Sequence, residues 1–265
     1  MARLLDLPAE LLLTIYGTLE SIQDAARLAQ CCKALHQIFN HQGHQKRILK
    51  SIVTNSNLPL PKNPNKTWLK AHFGADCFWK PTESQLPAKL VNTNTREFLT
   101  IPGVPSVICP LTGWDSTHLK KDEEAGEELY AWDADEIFGR RYPDDDSPPT
   151  NFCYFIGQAG DTMAMVDAET GWVLNYDQGG FGENADGGII ADSVPSLLVL
   201  LGTIEMTVAR MGEVPSDLRD EAIAKYENIR HVVLVALREI MAEYDDSVEE
   251  GSRFWDYMFE MCTEY

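Results

Sequence analysis

Two clusters of ionisable side chains have residue types that bind metals, and each lacks part of the pattern that such a site requires. The three aspartates at 144–146 offer oxygen ligands for a hard cation, but neither a bidentate acid at a defined spacing nor the glycine of an EF-hand loop follows them. His36, His41 and His44 lie close together in sequence, yet no two are four residues apart and no carboxylate accompanies them. We therefore expect a solvated acidic loop, surface or helix-end histidines and no metal site.

Motifs for nucleophilic catalysis and phosphate binding are incomplete as well. The glycine-rich segment 179–188 has no lysine and Ser/Thr at P-loop spacing, and its acidic residues would repel a phosphate. Ser193 and Ser196 lack a nucleophile-elbow pattern, and no cysteine–histidine pair stands out from chance. The sequence therefore predicts a protein that is not an enzyme and needs no cofactor. The alternative, a small-molecule enzyme, would need a pocket with converging ionisable groups.

The six cysteines include no CxxC pair and no evenly spaced framework. This pattern favours reduced, mostly buried thiols over zinc ligands or disulfides. The adjacent Cys31 and Cys32 are alternatively a redox or metal pair, but their helical, apolar surroundings favour a structural role.

The charge of the chain favours a basic partner over a nucleic acid. The 265 residues carry a formal net charge of −19, and residues 1–53 hold six basic and four acidic side chains whereas the rest hold 16 and 37. Such a surface repels phosphates, and it attracts basic proteins or simply maintains solubility. Asp6, Pro8 and Glu10 interrupt the apolar start, and no apolar run approaches the roughly 18 residues that span a bilayer. We expect no membrane association and a cytoplasmic and/or nuclear location.

The first 53 residues are predicted to form three short helices. Pro8 suits a first helical turn because its missing N–H needs no partner there, and Ser21 with Asp24 forms a capping box for the second helix. The apolar stripe of the first helix consists of Leu11, Leu12, Ile15 and Leu19. Three helices in about 50 residues bury too little surface to be stable alone. A protein partner is therefore expected to complete their core.

The proline- and asparagine-rich segment 55–66 blocks both helix and sheet ladders and marks a domain boundary. We predict a helical module at 1–53, a connecting segment at 54–84 and an acidic α+β domain at 85–265. In this last domain, runs at 151–157, 162–167 and 171–177 have the composition of strands. They predict an antiparallel meander, with Gly171 available for a positive φ in the turn.

The glycine-rich segment 178–188 is predicted to be a loop, and the segments KKDEEAGEE and RRYPDDDSPP polar surface excursions. Helical periodicity returns after Asp192, after Ser216 and in SRFWDYMFEM. The predicted fold class is therefore α+β, with a small three-helix module followed by an antiparallel sheet and C-terminal helices.

The N-terminal stretch LLDLPAELLLTIYGTLESIQDAARLAQCCKALHQIF resembles an F-box of the type common in filamentous fungi. The resemblance covers about residues 3–50 and rests on Leu7-Pro8-x-Glu10-Leu11, Ile15, Leu19, Asp24, Cys32-Lys33-x-Leu35 and Phe39. It implies a three-helix module that binds the adaptor subunit of an SCF-type cullin–RING ubiquitin ligase, and through it the cullin. The residues that would meet the adaptor are Leu4, Leu7, Pro8, Leu11, Leu12, Ile15, Lys33 and Leu35. The alternative is that residues 1–53 are the first helices of one larger domain.

The segments REFLTIPGVPS, NFCYFIG, TMAMVDAETGWVLNYD and ADSVPSLLVLLG together resemble the SUKH superfamily. That α+β fold occurs in fungal cell-wall regulators and in immunity proteins that neutralise bacterial toxins. The resemblance covers roughly residues 85–262 and implies helices wrapped around one twisted sheet.

Together the two resemblances imply a substrate receptor whose acidic domain binds an unidentified protein target, with a basic protein as the candidate. Aromatic side chains interspersed with acids are the candidate anchors, because aromatics dominate interface hot spots while acids select the partner. These target-binding candidates are Trp114, Tyr130, Trp132, Asp133, Asp135 and Glu136. The alternative function is a SUKH-like inhibitor or regulatory protein that sequesters a basic toxin or nuclease, with the F-box as an accessory.

Overall fold

The computed structural model of the chain describes residues 7–19, 21–54, 60–74, 76–141, 146–177, 186–211, 220–249 and 251–264. The chain divides into two units. We call the first the helical unit, comprising Met1–Leu60, Met206–Ile240 and Tyr265, and the second the sheet unit, comprising Pro61–Glu205 and Met241–Glu264. Helices α9 (Val194–Met211) and α10 (Asp220–Tyr244) contribute residues to both.

The N-terminal part of the helical unit contains four helices, one more than the sequence predicts. They are α1 (Ala9–Gly17), α2 (Ile22–Gln30), α3 (Lys33–Asn40) and α4 (Gln42–Thr54). The extra helix arises because His41 takes an extended backbone conformation, with φ −70° and ψ 119°, which separates α3 from α4. The predicted cap of α2 is present, since the Asp24 amide donates to Ser21 Oγ at 3.0 Å.

The core of the helical unit is apolar and continuous along these helices. Its buried side chains include Leu12, Tyr16, Leu35, Phe39, Ile48, Leu49 and Ile52. The Arg210 guanidinium, near the end of α9, donates to the Ile52 carbonyl of α4 at 3.0 Å. This hydrogen bond occupies a carbonyl in the last turn of α4, which has no partner within its own helix.

The sheet unit is built on an antiparallel sheet whose strand order is β3-β4-β6-β7-β8-β9, with β5 also paired to β6. The strands are β3 (Ile108–Cys109), β4 (Trp114–Asp115), β5 (Ala131–Asp133), β6 (Phe152–Ala159), β7 (Thr162–Asp167), β8 (Val173–Asp177) and β9 (Asp186–Ala191). A separate two-stranded ladder joins β1 (Phe78–Trp79) to β2 (Val104–Pro105). The helices that lie wholly within the described part of the sheet unit are α5 (Lys66–Phe73), α6 (Thr93–Thr100), α7 (His118–Ala125), α8 (Ala134–Ile137) and α11 (Arg253–Glu264). The α+β class predicted from the sequence is confirmed.

The meander β6-β7-β8 and the turn at 167–171 form as the sequence predicts. Buried Asp167 holds the turn, because its Oδ1 accepts from the amides of Glu169 and Thr170 at 3.1 and 2.6 Å. Gly171 follows with φ +79°, and a Cβ there would lie 2.9 Å from the Asn92 side chain. Only glycine therefore fits this position without displacing a neighbour.

Strand β9 was not predicted, and the assignment of 178–188 to a loop is wrong for its last three residues. Residues 186–188 belong to β9, whose pairing with β8 contains register shifts. Gly188 lies within it at φ +73°. Glycines therefore mark irregular pairing here rather than a loop, and residues 178–185 lie outside the described part of the chain.

Two stretches expected to be irregular contain helices. Helix α5 lies within the predicted connecting segment 54–84, where Asn65 accepts from the Trp68 amide at 2.9 Å and Gly74 ends the helix in the left-handed conformation. Helix α7 occupies most of KKDEEAGEE, which the sequence suggested to be a surface excursion. The predicted domain boundaries stay predictions. The structure groups residues 206–240, which were assigned to the last domain, with the helical unit.

Within the described residues, α9 is long and apolar enough to cross a membrane by length and composition, with a mean hydropathy of 1.4 over its 18 residues. This corrects the expectation that no segment approaches that length. However, 83% of the helix is buried inside the protein, as in the core helix of a soluble protein.

Candidate functional site

Helix α1 carries apolar side chains on two different faces. Leu12 and Tyr16, four residues apart, are buried, so they form the inner face. Pro8 and Leu11 are exposed, and Ile15 is half-buried; their spacing of three and four residues places them on one side of the helix. We call Pro8, Leu11 and Ile15 the outer face of α1. Leu11 leaves 50% of its surface exposed.

Tyr16 fixes which face of α1 points inward. Its hydroxyl donates to the Leu35 carbonyl at 3.1 Å, and its ring centroid lies 5.8 Å from that of Phe39. Burial, followed by the nearby Cys31 and Cys32 thiols, raises the pKa of Tyr16 to about 12. Because the hydroxyl stays protonated, it keeps donating at any physiological pH. Tyr16 was not among the residues predicted from the sequence, although its position four residues after Leu12 signals the inner face.

The structure separates the predicted adaptor-binding residues into surface and core. Leu12 and Leu35 are buried in the helical unit, so their side chains offer no surface in this conformation. Leu7 is half-buried and Lys33 is exposed. Leu4 lies outside the described residues. The residues with accessible side chains are Leu7, Pro8, Leu11, Ile15 and Lys33.

Two of the predicted target-binding residues are structural. Trp114 is only 1% exposed and packs against Gly157 of β6, so it belongs to the core and not to a binding surface. Asp133 is buried too: its Oδ1 accepts from the Asp135 amide at 2.9 Å and its Oδ2 pairs with Arg141. An aspartate in that position caps α8 and neutralises a buried cation.

The remaining predicted residues come together around Trp132. The Tyr130 and Tyr176 ring centroids lie 5.8 and 5.2 Å from that of Trp132, and Trp132 Nε1 donates to Glu136 Oε2 at 3.0 Å. Tyr130 is 45% exposed, whereas Trp132, Asp135 and Glu136 are half-buried. This group offers one exposed aromatic ring beside acidic side chains.

Among the described residues, one group of carboxylates has the proximity of a metal site. Oxygens of Asp192, Asp245 and Asp246 all lie within 4.8 Å of one another. Asp245, however, already accepts from the Asp192 amide at 3.0 Å and from Ser196 Oγ at 2.5 Å. Its Oδ2 therefore serves the start of α9, while its Oδ1 accepts from the Ser247 amide at 3.1 Å. Of the aspartates at 144–146, the first two lie outside the described residues.

The identity of the N-terminal helices follows from a family comparison. Residues 4–48 match the F-box-like family model. This part of the chain is therefore similar to F-box-like domains. Neither a curated protein nor a solved structure gives a significant match to the chain. The match covers α1, α2, α3 and the beginning of α4, and thus includes the outer face of α1.

Proposed function

We propose that the protein is a substrate receptor of an SCF-type cullin–RING ubiquitin ligase. Its F-box-like domain binds the adaptor subunit, and the acidic sheet unit binds a protein target. The protein does no chemistry itself in this proposal, because ubiquitin transfer belongs to other subunits. It works in the cytoplasm, the nucleus or both.

The observation that carries this proposal is the outer face of α1. A single exposed leucine is ordinary on a protein surface, but Pro8, Leu11 and Ile15 form a continuous apolar stripe within the F-box-like match. Buried apolar anchors dominate the energetics of protein interfaces. The basic Lys33 is exposed on the same domain, which adds a charge to an otherwise apolar docking surface.

A pull-down with the purified adaptor subunit tests the proposal with one variant and one matched control. Leu11→Asp places a charge on the outer face, whereas Val235→Asp makes the same kind of change on α10 at a side chain of similar exposure, 47%. We expect Leu11→Asp to reduce adaptor binding at least tenfold and Val235→Asp to leave it unchanged. Equal recovery of the wild type and Leu11→Asp would refute the proposal.

A second candidate function, a SUKH-like inhibitor of a basic protein, is favoured by the turn at 167–171 and by the cap of α9. The Ser196 amide donates to Ser193 Oγ at 3.2 Å, so the segments behind that resemblance form the expected turn and helix start. The two functions differ in what happens to a bound protein. If the chain is a receptor, proteins that co-purify with it accumulate in cells expressing Leu11→Asp; if it is an inhibitor, their abundance does not change.

A further inference from the structure

The sheet unit contains a cleft between the C-terminal end of α7 and the segment that follows β1. Its apolar floor consists of Trp79, Leu119 and Leu129. Trp79 and Leu119 are buried, so the floor is fixed by the core and not by mobile surface side chains. The volume of about 210 Å³ is below the roughly 300–1,000 Å³ of pockets for whole small molecules. A cleft of this size suits a single side chain.

The rim of this cleft is acidic, and most of its carboxylates lack an ion-pair partner among the described residues. Asp122, Glu127 and Glu128 line it, and none of the three forms an ion pair with another described residue. Glu123, also on the rim, is paired with Lys120. The cleft therefore presents three free carboxylates above an apolar floor, which complements a cationic group at the end of an aliphatic stem.

The polarity of α7 points to the same occupant. Its sequence places lysines at 120 and 121 and acids at 122–124, so the acids occupy the last turn. Helix carbonyls make that end negative, and acids there are unfavourable while cations are favourable. Gly126 and Glu127 amides satisfy the carbonyls of Glu123 and Asp122, but no basic side chain occupies the last turn. Acids in the last turn of a helix run against the helix dipole, and such a local conflict is typical of a functional site.

We propose that this cleft binds a lysine or arginine side chain of an extended segment in the protein target. The chain continues from Leu129, which lines the cleft, directly into the exposed Tyr130, which offers an aromatic surface to the residues flanking the bound cation. This inference rests on the proposed receptor function for its biological meaning. Its physical content, capture of a cationic side chain, does not depend on adaptor binding.

The binding of a cationic side chain by the cleft can be tested by fluorescence anisotropy, which measures the affinity of the full chain for labelled hexa-arginine and hexa-lysine at 150 mM salt. The cleft variant is Asp122→Asn, Glu127→Gln and Glu128→Gln. The matched control is Asp161→Asn, Glu169→Gln and Glu260→Gln, three exposed acids of the same unit, so both variants have the same net charge. A third variant, Ser84→Trp, places a bulky side chain at a residue that lines the cleft without changing the charge.

We expect the cleft variant and Ser84→Trp each to weaken peptide binding at least tenfold, and the matched control to weaken it less than twofold. The cleft variant should melt no lower than the wild type, because its substitutions reduce repulsion near the end of α7. Equal weakening by the cleft variant and the matched control would overturn the inference, since general attraction would then suffice. Full binding by Ser84→Trp, or no binding of either peptide by the wild type, would also overturn it. The adaptor pull-down is unaffected by these outcomes, so the two proposals fail separately.

Discussion

Gly157→Ala offers the sharpest test of how the sheet unit is packed. Gly157 lies in β6 at a register shift in its pairing with β7. A Cβ at this position would lie 2.2 Å from Cζ2 and 2.4 Å from Cη2 of Trp114. Because ordinary contact begins at 3.4 Å, the ring would have to retreat by roughly 1.2 Å or more within a close-packed core. The chain thus uses a glycine to admit the indole of a neighbouring strand.

The expected cost is at the upper end of the range for overpacking, about 2–3 kcal/mol. For a chain of this size that corresponds to a loss of roughly 4–12 °C in melting temperature. Gly17→Ala is a suitable control, because a Cβ at Gly17 meets Ser51 Oγ at an ordinary 3.5 Å. It should be neutral or stabilise α1 by up to about 1 kcal/mol.

Urea unfolding of a double-mutant cycle checks the stated cause. Trp114→Phe removes Cζ2 and Cη2, the two atoms nearest to the added Cβ, and it sacrifices no hydrogen bond, since Trp114 Nε1 is buried without a partner among the described residues. In the Trp114→Phe background we expect Gly157→Ala to cost less than half its cost in the wild type. Additive costs would refute the packing argument.

Two further predictions concern charged groups. Asp133→Ala should lower the free energy of unfolding of the sheet unit, measured by urea denaturation, by about 3–5 kcal/mol. The reason is that it leaves the buried Arg141 without this carboxylate and removes the cap of α8. A change below about 1 kcal/mol would mean that the ion pair contributes little. Partial desolvation of the otherwise exposed Asp192 carboxyl, then the charges of Asp245 and Asp246, raise the pKa of Asp192. The contribution of Asp192 to folding stability is therefore fully present below its unfolded pKa, where the carboxyl is protonated, and is lost as the pH rises through its folded pKa. Asp192→Asn should consequently stabilise the protein at pH 7, and progressively less as the pH falls toward 4. A gain that does not depend on pH would contradict the assignment.

Features that depend on a few consecutive residues could be predicted from the sequence. The Ser21 cap and the turn closed by Gly171 each follow from side chains within five residues of one another. The F-box-like match likewise depends on a short, ordered pattern within residues 4–48. In each case the local backbone conformation leaves few alternatives for the residue types present.

Features that depend on long-range contacts could not be predicted in this way. Leu11 and Leu12 are chemically identical neighbours, and Leu12 is buried because it lies on the same face as Tyr16, which donates to the distant Leu35 carbonyl and packs on Phe39. Trp114 has the composition of an interface anchor, but its burial depends on a glycine 43 positions later in the chain. Aromatic residues serve cores and interfaces equally well, so composition alone cannot separate the two roles.

The two proposed binding surfaces share a physical property that the Ser21 cap and the Asp167 turn lack. At Ser21 and at Asp167 the local residue choices agree with the local backbone. On the outer face of α1 an apolar stripe faces solvent, and in the last turn of α7 acids occupy the negative end of a helix. Each arrangement is unfavourable in the free protein, and each becomes favourable when an apolar or a cationic partner is added. Binding energy at both surfaces would therefore come from relieving a conflict that the isolated chain retains. The cleft variant should accordingly be no less stable than the wild type although it binds the peptides more weakly.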